Sequence, residues 1–288
     1  MGNFTTIAIA EKLFDSDTTS QGQAGRVDAD NNKYMLAGIF SFKGGNTGLL
    51  YVYNNSASNR PAANFKSKTH TLAPYVKATF GPVYLESEVI YTFGKAREFD
   101  NGAADVDADS LGAYIKARMN LGPAYVGASV LYSSGDDGSD ATKSKAGPQS
   151  QDLDVGLILG NDALQTWEAS AGIGGANGVA FDSGKSNSIM YSVFDGFNPT
   201  PKLALQALFA YAQLDKVPAA VAVNKNDSKK LGYEFDVTAS YKLYDNLTYM
   251  VGAGYLWAGD AFKGFGANSN NNSVGNDYLL LNRISLTF

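Results

Sequence analysis

Hydrophobic and polar residues alternate with period two along most of the chain. From 111 to 121, Leu111, Ala113, Ile115, Ala117, Met119 and Leu121 share one face, and Gly112, Tyr114, Lys116, Arg118 and Asn120 share the other. Successive side chains of an extended strand point to opposite faces, so this spacing predicts a strand with one oily and one polar side. From 231 to 243, Leu231, Tyr233, Phe235, Val237, Ala239, Tyr241 and Leu243 oppose Gly232, Glu234, Asp236, Thr238, Ser240 and Lys242. A helix would bring Glu234 and Lys242 round to the apolar side. From 83 to 93, Val83, Leu85, Ser87, Val89, Tyr91 and Phe93 oppose Tyr84, Glu86, Glu88, Ile90 and Thr92. The same pattern holds at 124–132 and 247–257, and less cleanly at 72–80 and 203–211.

These stretches are about 9–13 residues long; strands of water-soluble domains have about 5–6, whereas strands that cross a bilayer need about 9–11. The connections follow a second rule. Short ones fall at Gly81-Pro82, Gly122-Pro123, 198–201 and Asp245-Asn246. Long ones rich in Gly, Asn, Asp and Ser fall at 14–32, 56–69, 96–109, 135–151, 215–230 and 259–276. Short and long take turns, as they do when one end of a barrel carries tight turns and the other carries loops. A propeller would need four short strands in each interval of about 40 residues, and only two long ones fit.

Strands are expected near 3–12, 33–43, 48–55, 70–80, 83–95, 110–121, 124–134, 152–160, 187–195, 202–214, 231–243, 247–258 and 277–288, with one more at 166–173 to keep the loop ends alternating. The expected fold is all-β: an antiparallel transmembrane β-barrel of about 14 strands, within a range of about 12–16. It is one domain over 1–288, with short periplasmic turns and long extracellular loops. Every backbone group is paired around such a ring, so only the outward side chains must be apolar. Tyr91, Phe93, Tyr132, Tyr241, Tyr255, Trp257 and Phe288 lie toward strand ends on the outward faces, where interface girdles form.

Composition narrows the partners. The chain has no cysteine, which excludes a disulfide scaffold and a thiolate zinc site. Its 23 basic and 28 acidic residues give a net charge of −5, which argues against nucleic acid. No apolar run approaches the length of a spanning helix. The first ten residues lack the basic-then-apolar pattern of a secretory signal.

The last segment, 278–288 (YLLLNRISLTF), resembles the closing strand of Gram-negative outer-membrane barrels, with Leu280, Ile284, Leu286 and a terminal Phe288 at alternate positions and Asn282 interrupting them. By that resemblance Phe288 is the insertion signal read by the barrel-assembly machinery. Most of the chain is similar in texture to proteobacterial porins and alginate-export-like channels. Members normally begin with a signal peptide, so this numbering is expected to start after a removed signal or part-way into a longer barrel. The resemblance implies the bacterial outer membrane, with lipid, lipopolysaccharide and small hydrophilic solutes as partners, and a homotrimer as a common assembly.

On these faces the lumen carries Lys77, Glu86, Glu88, Tyr114, Lys116, Arg118, Glu234, Asp236, Lys242 and Arg283, together with Tyr84, Tyr125, Asp154 and Glu168. Their near balance of charge predicts a general, weakly selective pore for passive diffusion. A long loop folded inward can narrow it, with 135–151 and 161–186 as candidates. The alternatives are a barrel that binds surface partners through its loops and, more remotely, an outer-membrane hydrolase. The only histidine, His70, precedes Thr71-Leu72 and not the Ser-Asn-Gly pattern of barrel phospholipases, so the expectation is that the protein is not an enzyme. No cofactor or metal is expected: the acidic clusters 105–109 and 136–140 lack the glycine and distal Glu of a calcium loop. The glycine-rich 172–177 lies in no strand-to-helix context and is read as a loop.

Overall fold

The computed structural model describes residues 3–15, 29–60, 64–147, 155–159, 186–217, 228–262 and 275–287. They form one antiparallel sheet of long strands: β1 (Asn3–Phe14), β2 (Asn31–Phe42), β3 (Gly45–Ser56), β4 (Phe65–Phe80), β5 (Val83–Phe99), β6 (Val106–Leu121), β7 (Ala124–Ser133), β9 (Ser188–Thr200), β10 (Leu203–Leu214), β11 (Lys230–Tyr244), β12 (Leu247–Ala258) and β13 (Asp277–Leu286). A two-residue β8 (Lys143–Ser144) runs parallel to the start of β6. Consecutive long strands are neighbours throughout, and β7 pairs directly with β9. Among the described residues β1 pairs with β2 and β13 with β12; a β13–β1 ladder that would close the ring is not among their pairings.

The predicted alternation of ends is present. Tight turns follow β2, β4, β6, β9 and β11, and the other connections all leave from the opposite end. Gly81 and Gly122 hold positive φ angles of 59° and 68° and each is followed by proline, which has a fixed negative φ. Glycine at the first central position of a two-residue hairpin is the II′ arrangement, whose twist suits antiparallel strands.

Register separates the two faces. The convex face carries Ile115, Val193, Phe209, Val237 and Leu280, all strongly exposed. Toward the long-loop end it carries aromatic rows: Tyr34, Tyr53, His70 and Phe93 are directly paired across β2–β5, and Tyr191, Tyr211, Tyr233 and Trp257 across β9–β12. Rings in these rows stack at 4.9 Å (Tyr53–His70) or meet at a tilt at 5.0 Å (Tyr211–Tyr233). An oily belt this large is incompatible with a water-exposed exterior, and a belt topped by an aromatic girdle is the lipid face of an outer-membrane barrel. The expected girdle members Tyr91, Phe93, Tyr132, Tyr255 and Trp257 lie on this face near the long-loop end and Tyr241 near the other, while Phe288 falls outside the described residues.

Two sequence expectations are corrected. No strand forms at 155–159, the described part of the expected 152–160 strand; β7 and β9 are already hydrogen-bonded to each other, so the path has twelve long strands. The apolar run Val155–Leu159 reads as a strand because it is buried, but it packs inside the sheet instead of within it. The companion expectation at 166–173 lies outside the described residues, as do Asp154 and Glu168. Second, much of 96–109 and the end of 56–69 are strand: β4, β5 and β6 have 16, 17 and 16 residues. Lys68–Glu98 (2.9 Å) and Lys95–Asp107 (2.7 Å) bridge these extensions. Both faces there are polar, so the alternation signal vanishes although the ladder continues.

Candidate functional site

The concave face holds the candidate site. Register places all ten predicted lumen residues on it: Lys77, Glu86, Glu88, Tyr114, Lys116, Arg118, Glu234, Asp236, Lys242 and Arg283. One row of cross-strand partners runs Lys77, Glu86, Lys116, Ser129, Ser192, Ala210, Glu234. At about 4.8 Å per strand, Lys116 and Glu234 stand roughly 19 Å apart around the wall, too far for an ion pair. Glu234 and Asp236 therefore stand on an arc apart from Lys116 and Arg118, which share theirs with Glu86 and Glu88.

The acidic arc lies on β11. Glu234 is fully buried, and its carboxylate accepts the backbone N–H groups of Ile158 and Leu159, both at 2.7 Å. Asp236 accepts the N–H of Leu157 at 2.9 Å. These carboxyl oxygens satisfy backbone donors that would otherwise be buried without partners, so the two side chains fasten the segment 155–159 inside the sheet. Gly156 makes the approach feasible: a Cβ there would lie 2.7 Å from Glu234 Oε1. Val155, Ile158 and Leu159 then pack against Leu131, Met190, Leu231 and Leu256, a dry cluster toward the long-loop end.

The basic arc is built on aromatic rings. The Lys116 ammonium lies 5.3 Å from the centre of Phe194, and the Arg118 guanidinium lies 5.2 Å from Tyr125 and 5.6 Å from Tyr84. Cations at these distances are attracted by the ring faces. The rings lie flat because glycines make room: a Cβ on Gly127 would fall 2.4 Å from Phe194, and one on Gly196 would fall 2.1 Å from Tyr125. Lys77 and Glu86 pair at 2.9 Å, and Tyr84 donates to Glu86 at 3.1 Å. Glu88 faces Tyr114 across the β5–β6 ladder. Lys242 sits apart, beside the tight turn at the short end, where its N–H donates to the Lys202 carbonyl.

Between the arcs lies a cavity of about 500 Å³ whose lining comes from β6, β7, β9, β10, β11, β12, β13 and the inward segment. Of the predicted residues it gathers Tyr114, Lys116, Asp236 and Arg283. The sequence reading missed the fastening segment and the ring platforms. An isolated Gly inside a strand marks a close approach of another group, and Gly127 and Gly196 were the available signal.

His70 does not join this site. It lies on the convex face, within β4 and not at its edge, stacked between Tyr53 and Phe93, with Tyr51 Oη 2.7 Å from its Nδ1. In the acidic clusters, Asp107 and Asp109 lie in β6 and pair with Lys95 and Lys143. Asp137 and Asp140 cap turns; the donors of Ser139 and Thr142 hold their carboxyls below the usual range. Among the described residues no group of three or more acidic or histidine side chains is placed to hold a metal ion.

No family model matches the chain, and no curated protein does. Solved structures similar to it are outer-membrane proteins. They include OmpT of Vibrio cholerae (10% identity, 99% of this chain and 97% of that chain, TM-score 0.41) and outer membrane phospholipase A from Escherichia coli (11%, 99% and 95%, 0.33). A third is the Salmonella typhi outer membrane phospholipase dimer with bound calcium (12%, 99% and 90%, 0.32). Two of these are enzymes by their titles, and this corrects the expectation that the chain is not an enzyme. No activity is read across from them. The assignments that follow rest on this chain's own geometry.

Proposed function

We propose that the protein is a channel for passive diffusion of small hydrophilic solutes, narrowed from within by residues 155–159. One observation carries this reading: the fastened segment fills one side of the interior and leaves beside it a cavity of about 500 Å³ edged with charged and polar side chains. A barrel of this many strands is too wide for its own side chains to fill. A purely structural barrel would also have little use for Lys116, Arg118 and Arg283 on its inner wall, because burying charge without a partner is costly. Water in the passage removes that cost.

Planar-bilayer recording tests the proposal. The purified protein should insert and produce discrete steps of conductance, with a larger step when Glu234 is replaced by Ala and the inner segment is released. Inserted protein that never conducts would refute it.

A further inference from the structure

The charge of the lumen differs from its residue tally. Counted by sequence, acids and bases nearly cancel. In the structure, the Glu86 carboxylate, opposite Lys116 in the ladder, is taken by Lys77 and Tyr84, Glu88 faces Tyr114 and is itself engaged, and Glu234 is sealed beneath two backbone N–H groups. Asp236 borders the cavity, yet one oxygen accepts from Leu157 and the other is buried. Among the described residues no carboxylate lies within ion-pair distance of Lys116, Arg118 or Arg283; the salt bridges involve other lysines and Arg60. Lys116 and Arg283 both line the cavity, along with the apolar surfaces of Phe194, Leu208, Met250 and Leu281.

We propose that this cavity is a selectivity site for small organic anions, in which Lys116 and Arg283 attract the carboxylate and the apolar wall accommodates the body of the solute. The inference deepens the channel reading and rests on it. An ammonium or guanidinium with open donors favours an anion, and a wall with apolar patches adds contact that chloride or phosphate cannot use. The aromatic platforms also hold Lys116 and Arg118 against the wall, so the passage stays open while it is positive. Aromatic organic acids, with a flat apolar body and one carboxylate, match this lining best.

The test uses the full-length protein in planar bilayers across a tenfold KCl gradient. Chloride should be preferred over potassium by at least about five-fold, since one unit charge at about 4 Å in water favours the anion by about 1 kcal/mol and disfavours the cation by as much, an upper limit of about thirty-fold. Benzoate should reduce the current in a concentration-dependent way, while benzylammonium and glucose at equal concentration should not. The double variant Lys116→Gln/Arg283→Gln should lose both the preference and the benzoate block, and Lys116→Arg should retain them. Heat-modifiable migration on gels establishes that each variant is folded. Conducting wild-type protein that prefers potassium, or that benzoate and benzylammonium block alike, overturns this inference and leaves the channel standing. Absence of conductance overturns the channel reading itself.

Discussion

The sheet has two halves that alternate equally well in sequence and differ inside. Across β1–β5 the concave face is open, and Ala57, Ala73 and Ala78 are the only buried apolar residues described before β7. Across β7–β12 the concave face is packed with Leu131, Met190, Ala210, Leu214, Leu231 and Leu256, closed over by the inner segment. The second half also contains the fully buried Glu234, and among the described residues the first half has no buried charged side chain. Alternation reports which residues face lipid; it does not report what the inward residues face. An inward Leu next to water and an inward Leu under a folded loop occupy the same parity.

The contrast implies unequal responses to mutation, and the largest is expected at Glu234. Glu234→Ala strips the acceptor from two buried N–H groups, each costing about 1–3 kcal/mol when unsatisfied, so a loss of about 2–6 kcal/mol is expected in urea unfolding from lipid vesicles. An unchanged midpoint would mean that the second half is no better packed than the first. Gly156→Ala comes next. Its new methyl would meet the Glu234 carboxylate at 2.7 Å, and forcing a group into a packed site costs about 1–3 kcal/mol. The segment should lift, detectable as faster protease cleavage near 155–159 in the folded protein.

Smaller effects are expected in the first half. His70→Ala removes ring stacking with Tyr53 and Phe93 and a bond to Tyr51, and an aromatic pair is worth about 0.5–1.5 kcal/mol. The unfolding midpoint should fall by that amount, with conductance steps unaltered because the ring faces outward. Glu86→Gln should matter least. Its partner Lys77 is half exposed, and pairs of that kind contribute about 0.2–1 kcal/mol. If Glu86→Gln proved as damaging as Glu234→Ala, the distinction between an open and a packed half would collapse.

Much of this was legible in the chain. The faces of 83–93, 111–121 and 232–243 are assigned by side-chain parity alone and the cross-strand register agrees with them; Leu231, read as outward, lies at a register shift beside Gly232 and packs inside instead. The alternation of tight turns and long connections was equally readable, because glycine followed by proline constrains a hairpin locally. What escaped was non-local. Val155–Leu159 is apolar because most of it is buried, and a short buried apolar run looks alike in a strand and in a plug. A count of lumen carboxylates also does not reveal that backbone donors from a distant segment occupy Glu234 and Asp236. The extensions of β4–β6 were read as loops because cross-strand ion pairs, not apolar alternation, accompany the ladder there.

The fastening of the inner segment has a corollary for substitution. Glu234 and Asp236 grip peptide N–H groups, which nineteen of the twenty common amino acids possess, so the latch is blind to residue type except at Gly156 and except for proline. Leu157 projects from that latch into the cavity lining. Substitution at this single position can widen or narrow the cavity while the fastening stays in place, so its size varies without loss of the latch.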